Sequence, residues 1–266
     1  MLISRKYLIR TLVVFSFFFL FSAQAAEEGK VEDPSAGLVS QLGGMSLGER
    51  REMSAGVPPV KIEFVPPSFK TIEFDVSFKG GKARVRPYTL KDINKTWIER
   101  ICGHDPTDPM DNSDPQAPLP SQEEVIDSIS QILAPECPSG QYGIYDYADG
   151  QIMGMFSLLP GRHFYNAIES TIRVHRDFRG RGIATCVIKE MLETTRRLGC
   201  VEPIFYIEAS INADNEGSIK SHVAAGMIPF DQGNSGLYYY SLREGLEKPI
   251  KILPDPSNAP KDKGEG

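Results

Sequence analysis

The sequence predicts an α/β domain built on a mixed sheet with helices on both faces. Three observations predict it. Apolar runs of strand length alternate with stretches of helical period in the order β-α-α-β-β-β-α-β-α-β. The alternation is confined to about residues 75–245, a length suited to one hydrophobic core. Punctuation falls between the runs: Asp149-Gly150 reads as a hairpin turn, and Gly199 and Gly226 stop helices.

Taken in order, Ala83–Pro87 is a short strand and Leu90–Ile101 a helix begun by Thr89. Residues 103–120 are polar and proline-rich, a long loop. Ser121-Gln122-Glu123-Glu124 is a capping box that opens a helix to about Leu133. Tyr142–Tyr147 and Ile152–Leu158 form a hairpin, and Ala167–Val174 is a further strand. The longest helix runs from Gly182 to Leu198, with Ile183, Val187, Met191, Leu192 and Leu198 on one face and a Glu193–Arg197 pair on the other. Pro203–Ala209 reads as a buried strand, Asn215–Ala225 as a helix and Leu237–Leu242 as the last strand. Tyr238 and Tyr240 share one face of that strand, Tyr239 takes the other, and the run packs and lines a cleft.

The flanks differ in kind. Arg5, Lys6 and Arg10 precede the apolar run Leu12–Phe21, and Ala23-Gln24-Ala25 supplies small residues for cleavage before Ala26. Residues 1–25 therefore read as a secretory signal peptide, too short in its apolar part for an ordinary membrane span; an uncleaved anchor is the alternative. Residues 26–74 read as a flexible or extended stem, with Pro58-Pro59 and Pro66-Pro67 favouring extended chain, and residues 246–266 as a disordered tail. The expected location is the periplasm or the exterior, with membrane contact only if the signal is uncleaved.

The whole chain of 266 residues is 41% hydrophobic and 24% charged, which excludes pervasive disorder and a polytopic membrane protein. Its net charge of −6 argues against a nucleic-acid partner, and residues 1–25 hold none of the acidic side chains. The four cysteines have no metal-ligand spacing and no metal is expected. Export permits a disulfide, for which Cys102–Cys137 is the pair to test; free thiols fit equally, and Cys186 reads as packing. The four aspartates between Asp105 and Asp114 lack the spacing and glycine of a calcium loop and read as solvated.

Chemistry concentrates at Thr171–Thr185, where a strand enters a loop with Arg179, Gly180, Arg181 and Gly182 and a long helix follows at once. Unpaired N–H groups and the positive dipole end of such a helix suit a pyrophosphate, and glycines let its oxygens approach the backbone. The Gly-Lys-Ser/Thr of a P-loop is absent, and Gly180-x-Gly182-x-x-Thr185 fails a dinucleotide fingerprint at its third place. Arg179-x-x-Gly182-x-Ala184 resembles the acetyl-CoA signature of the GCN5-related N-acetyltransferase (GNAT) superfamily. Asn215-x-x-Ser218-Ile219-x-x-His222-x-x-x-Gly226-Met227 resembles the family's later motif and stands one strand beyond the long helix, as it should.

The resemblance, over about residues 83–242, implies a mostly antiparallel mixed sheet and acetyl-CoA as cosubstrate. By position, the backbone near Ile172 and Val174 pairs with the pantetheine arm. The amides of Gly180, Arg181, Gly182, Ile183 and Ala184 hold the pyrophosphate, Arg179 and Arg181 add charge, and Asn215 lies near the pantetheine. The implied reaction is attack of a primary amine on the thioester. The acceptor is an amine-bearing small molecule, peptide or protein, with the acidic balance favouring a cationic one. An alkylamine with a pKa of ~10.4 must lose a proton, and the departing thiolate needs a proton or electrostatic relief. His222 replaces the family's usual tyrosine donor. Helical spacing puts Ile219, His222 and Val223 on one side, and His222 either reaches the thioester sulfur or simply packs. Glu208 is the first candidate base and Glu169 the second, with a salt-bridged strand residue the plain reading of each. Export separates the protein from cytoplasmic acetyl-CoA, so an exported binding module of the same fold without turnover is the competing reading.

Overall fold

The computed structural model describes residues 58–107, 115–134, 136–198, 203–230 and 236–252. Among these residues eight strands form one sheet in the order β1-β2-β3-β4-β5-β6-β8-β7. They are β1 Phe74–Phe78, β2 Gly81–Pro87, β3 Gly140–Asp146, β4 Ile152–Pro160, β5 Ala167–Val174, β6 Tyr206–Ser210, β7 Ile228–Pro229 and β8 Leu237–Ser241. Among the described residues only β5 and β6 are parallel; every other described pair is antiparallel. The helices are α1 Pro67–Lys70, α2 Lys95–Cys102, α3 Gln122–Ile132, α4 Ile183–Arg197 and α5 Glu216–Ala224.

Alternation along the strands separates two cores. Phe156 of β4 joins Ile168, Ile207 and the α4 residues Ile183, Val187, Ile188, Met191 and Leu192 on one face. Its neighbour Met155 joins Trp97, Ile98 and Ile101 of α2 and Val125 and Ile129 of α3 on the other. The expected helices on both faces of the sheet are thus present. Each fully buried apolar side chain contributes about 1.5–3 kcal/mol, so the five from α4 are the main hold of that helix on the sheet. Tyr238 and Tyr240 pack on the α4 face and Tyr239 on the other, as alternation requires.

Several expectations need correction. The end of the stretch read as stem, residues 58–74, packs against the domain: Ile62, Val65, Phe69 and Ile72 are all buried in the α4-side core. The Tyr142 hydroxyl donates to the Phe69 carbonyl, and Val65 N donates to Pro138 O at 2.7 Å. Apolar residues recur every three or four positions here, a period hidden among prolines. The start of the expected tail also packs. Tyr165 N donates to Ile250 O at 2.9 Å and Ile252 N to His163 O at 2.8 Å. The single helix expected over Leu90–Ile101 is a 3₁₀ turn at Leu90–Asp92 and then α2. The break arises because Asn94 caps α2 with its side chain, accepting from Trp97 N at 3.0 Å. Strand β6 begins at Tyr206 rather than Pro203. Leu198 is 47% exposed, off the buried face of α4, and Arg197 pairs with Glu190 at 2.6 Å instead of Glu193. Cys102, Cys137 and Cys186 form no disulfide with one another, so the Cys102–Cys137 bond is not formed; Cys200 lies outside the described residues.

Asn166 ties three segments together at the start of β5. It adopts φ 57°, the left-handed region that asparagine tolerates better than most residues. Its Nδ2 donates to Pro203 O at 2.8 Å, and its Oδ1 accepts from Val60 N at 3.3 Å. Its backbone N donates to Val60 O, and its carbonyl accepts from Phe205 N and Tyr206 N. The substitution Asn166→Gly keeps the backbone conformation and removes only the side-chain bonds. Urea denaturation is expected to show a loss of about 2 kcal/mol, and an unchanged midpoint would contradict the assignment.

Candidate functional site

The site follows from a short parallel ladder. β5 and β6 pair over three rungs only, Ala167↔Tyr206, Ile168↔Ile207 and Glu169↔Glu208. Beyond them Ser170 Oγ donates to Glu208 O at 3.3 Å, and β5 continues to Val174 paired with β4 but not with β6. Thr171, Ile172 and Arg173 are half-buried along this stretch. An extended chain of suitable length can add itself to such an edge by main-chain hydrogen bonds.

At the open end the chain turns into α4. Gly180 and Gly182 have φ of 74° and 80°, a region in which a side chain would be strained, and nothing lies within 4 Å of where a Cβ would stand. Gly182 supplies no side-chain cap to the 15-residue helix. The first bond back to the cap is Cys186 N to Gly182 O at 3.0 Å, so helix geometry leaves the N–H groups of Gly182, Ile183, Ala184 and Thr185 without intrahelical acceptors. Open space, four donors and the positive dipole end meet at one point, the arrangement an anionic phosphate requires.

The two arginines divide. Arg181 is exposed; its guanidinium lies 5.3 Å from the Phe178 ring centroid and donates to Asp177 O at 2.9 Å. The Arg179 guanidinium faces the protein instead of the cradle. Its Nε donates to Val174 O at 2.9 Å, and its Nη atoms meet Thr107 Oγ1 at 2.9 Å and Asp105 at 2.7 Å. Asp105, at the head of the segment read as solvated, is only 5% exposed.

Glu169 and Glu208 are adjacent on one face, and both are buried. Glu208 accepts from the backbone N–H groups of Arg162, His163 and Phe164 at 2.7, 3.0 and 2.9 Å. Glu169 takes both arms of the Arg162 guanidinium at 2.5 and 2.6 Å. Burial pushes the Glu208 carboxyl up to about 7, against the downward pull of those three donors. Both candidate bases are therefore engaged in anchoring the loop between β4 and β5.

Asn215 caps α5, its Oδ1 accepting from Ser218 N at 3.0 Å. At the other end Gly226 N bonds to Val223 O and Met227 N to His222 O, with Gly226 at φ 104°: a Schellman motif in which buried Met227 covers the turn that carries His222. His222 is itself 3% exposed, and its Nδ1 lies 2.8 Å from Ser218 O. A carbonyl only accepts, so Nδ1 carries the proton and Nε2 is left as an acceptor. Burial lowers the imidazole pKa below its ordinary value, and the ring is neutral at pH 7. Val223 is 48% exposed and does not share the buried side of the helix with His222, contrary to the expectation from spacing.

Sequence reasoning passed over Asp105, Thr107 and Arg162. The first two carry a local signal: Asp105 Oδ1 accepts from Thr107 N and Oγ1 across Pro106, an Asx turn that Asp-Pro-Thr announces. Arg162 has none, because its partner is set by strand pairing. Among the described residues no cluster of His, Cys, Asp and Glu side chains could hold a metal ion, and no helix is long and apolar enough to cross a membrane.

Residues 108–227 match the sequence model of the acetyltransferase (GNAT) family. No curated protein matches the chain. Among solved structures, Mycobacterium smegmatis RimJ in complex with CoA-disulfide is similar at 16% identity, covering 66% of this chain and 90% of its own, with a TM-score of 0.49. A spermidine N-acetyltransferase SpeG chimera from Vibrio cholerae and hSSAT is 13% identical over 60% of this chain and 95% of its own, TM-score 0.44. The GNAT domain of S. lividans PAT is 18% identical over 66% and 99%, TM-score 0.43. The family match spans α3 to the end of α5 and includes the glycine cradle and both motifs.

Proposed function

We propose that the domain transfers an acetyl group from acetyl-CoA to a primary amine by direct attack. The single observation that carries this reading is the open amide cradle at Gly180–Ala184, set beside the part of β5 to which the β6 ladder does not extend. The cradle receives the pyrophosphate, and the edge near Ile172 and Val174 receives the pantetheine arm as an added strand, with the Val174 carbonyl already committed to Arg179. The thioester supplies the activated acetyl group. The neutral amine nitrogen forms a bond to the carbonyl carbon, the C–S bond breaks, and the sulfur departs as thiolate while the nitrogen gives up a proton.

That proton needs an acceptor. Glu169 and Glu208 are occupied by the 162–164 segment, whereas His222 presents an unprotonated Nε2. In this reading His222 takes the proton instead of donating one, the reverse of the tyrosine role that its motif position implies. The occupation of both carboxylates also favours a second reading, a coenzyme-binding module without turnover. The acceptor class, a small molecule, peptide or protein bearing a primary amine, follows from the family resemblance, and the net charge of −6 favours a cationic member of it. We further propose export, on the signal-like residues 1–25.

Titration calorimetry of the full chain with acetyl-CoA is expected to give micromolar binding, abolished in Gly182→Val, where a β-branched residue is forced to φ 80° and fills the cradle. Undetectable wild-type binding would end the proposal. Thiol release over a panel of amines separates transferase from module: His222→Phe is expected to slow it by about 100-fold, and equal rates would remove His222 from the chemistry. Sequencing of the exported protein is expected to begin at Ala26; an intact Met1 on protein retained in the cytoplasm would refute export.

A further inference from the structure

The sequence reads the aspartates from Asp105 onward as solvated, yet the structure buries the first of them against the loop that forms the cradle. Asp105 Oδ2 accepts from Arg179 Nη2 at 2.7 Å, and Oδ1 accepts from Thr107 N at 3.0 Å and Thr107 Oγ1 at 2.6 Å. Arg179 in turn donates through Nη1 to Thr107 Oγ1 at 2.9 Å and through Nε to the carbonyl of Val174, the last residue of β5, at 2.9 Å. Burial pushes the Asp105 carboxyl up, but the Thr107 donors and the charges of Arg179 and Arg173 outweigh it and hold the group below the usual carboxylate range. It is therefore ionised at neutral pH, and the pair with Arg179 is a charged one.

The consequence lies one residue further on. Gly180 and Gly182 have open space where a Cβ would stand, so no side chain of their own fixes the turn. Its conformation is held by α4 on one side, by Arg179 on the other, and between them by Arg181, whose carbonyl accepts from Lys79 N at 3.3 Å and whose guanidinium donates to Asp177 O at 2.9 Å. Arg179 can serve only if its guanidinium is kept over Val174, and a long side chain one-third exposed needs a partner to keep it there.

We propose that Asp105 is a positioning residue for the coenzyme loop: acting through Arg179, it holds the turn in the conformation that directs the Gly180–Ala184 amides at a pyrophosphate. The proposal rests on the coenzyme-binding reading above and extends the site to the α2–α3 connection, in a residue outside both motifs and outside the family match.

Calorimetry with coenzyme A on the full chain tests it. Asp105→Asn is expected to weaken binding about tenfold, the loss of a charged hydrogen bond acting at one remove. The KM for acetyl-CoA rises by the same factor, with the effect on kcat smaller. In a double-mutant cycle, Asp105→Asn combined with Arg179→Ala binds no more weakly than Arg179→Ala alone, because one route is lost twice. Thr107→Val, which removes the shared hydroxyl, moves binding in the same direction and serves if Asp105→Asn does not fold. Wild-type affinity in Asp105→Asn, or additive losses in the cycle, would overturn the proposal while leaving the coenzyme reading in place. Absence of binding by the wild type would remove both.

Discussion

The parallel contact between β5 and β6 ends after three rungs, and the rest of the site depends on where it ends. Parallel neighbours require a crossover, and here α4 makes it. The helix must start at the C-terminal end of β5, so its unpaired amides stand beside the part of the strand that β6 leaves open. At the other end the two strands are held by the Asn166 carbonyl, which takes the first amides of the β6 segment; the last contact before they part is Ser170 against the Glu208 carbonyl. A cleft closed at one end and open at the other, with an anion cradle at its mouth, is a property of this topology. No single catalytic side chain is needed to produce it.

The closed end is stabilised by charge. The Glu169 and Glu208 carboxyls are buried, the Arg162 guanidinium is half-buried, and every carboxylate oxygen has a donor from residues 162–164. Removing Arg162 would leave the buried Glu169 carboxylate without its partner, a cost larger than that of an exposed ion pair. This explains why two acidic residues sit on adjacent strands without being free to take a proton from a substrate. In the proposed transfer the proton goes instead to His222, whose tautomer is fixed by its own helix through the Ser218 carbonyl. The neutral ring and its Nε2 lone pair make the chemistry of this position differ from that of a phenol.

Much of this was legible in the residues. Ala167–Val174 is read from its apolar pattern with the bounds the structure shows, and the Ser121 capping box opens α3 where it is expected, because both signals are local. The cradle is legible for the same reason: glycines, a strand and a helix follow one another within a dozen residues. What failed was non-local. Ile62, Val65, Phe69 and Ile72 lie among prolines, and their burial depends on strands far along the chain. Asp105 looks solvated beside its polar neighbours, while its partner Arg179 is 74 residues away. The parity of Glu169 and Glu208 is undetermined until register is known; the parallel pairing then places both on one face and over one loop. The direction of the His222 proton depends on a hydrogen bond that spacing alone does not reveal.

The central claim concerns four main-chain donors at the start of α4, so the most direct measurement observes those amides. Coenzyme A added to ¹⁵N-labelled full-length protein is predicted to shift the amide resonances of Gly182, Ile183, Ala184 and Thr185 first and furthest, with those of Gly180 and of β5 near Ile172 following. Resonances at these positions that stay fixed at saturating coenzyme, or shifts confined to another part of the sheet, would contradict the account.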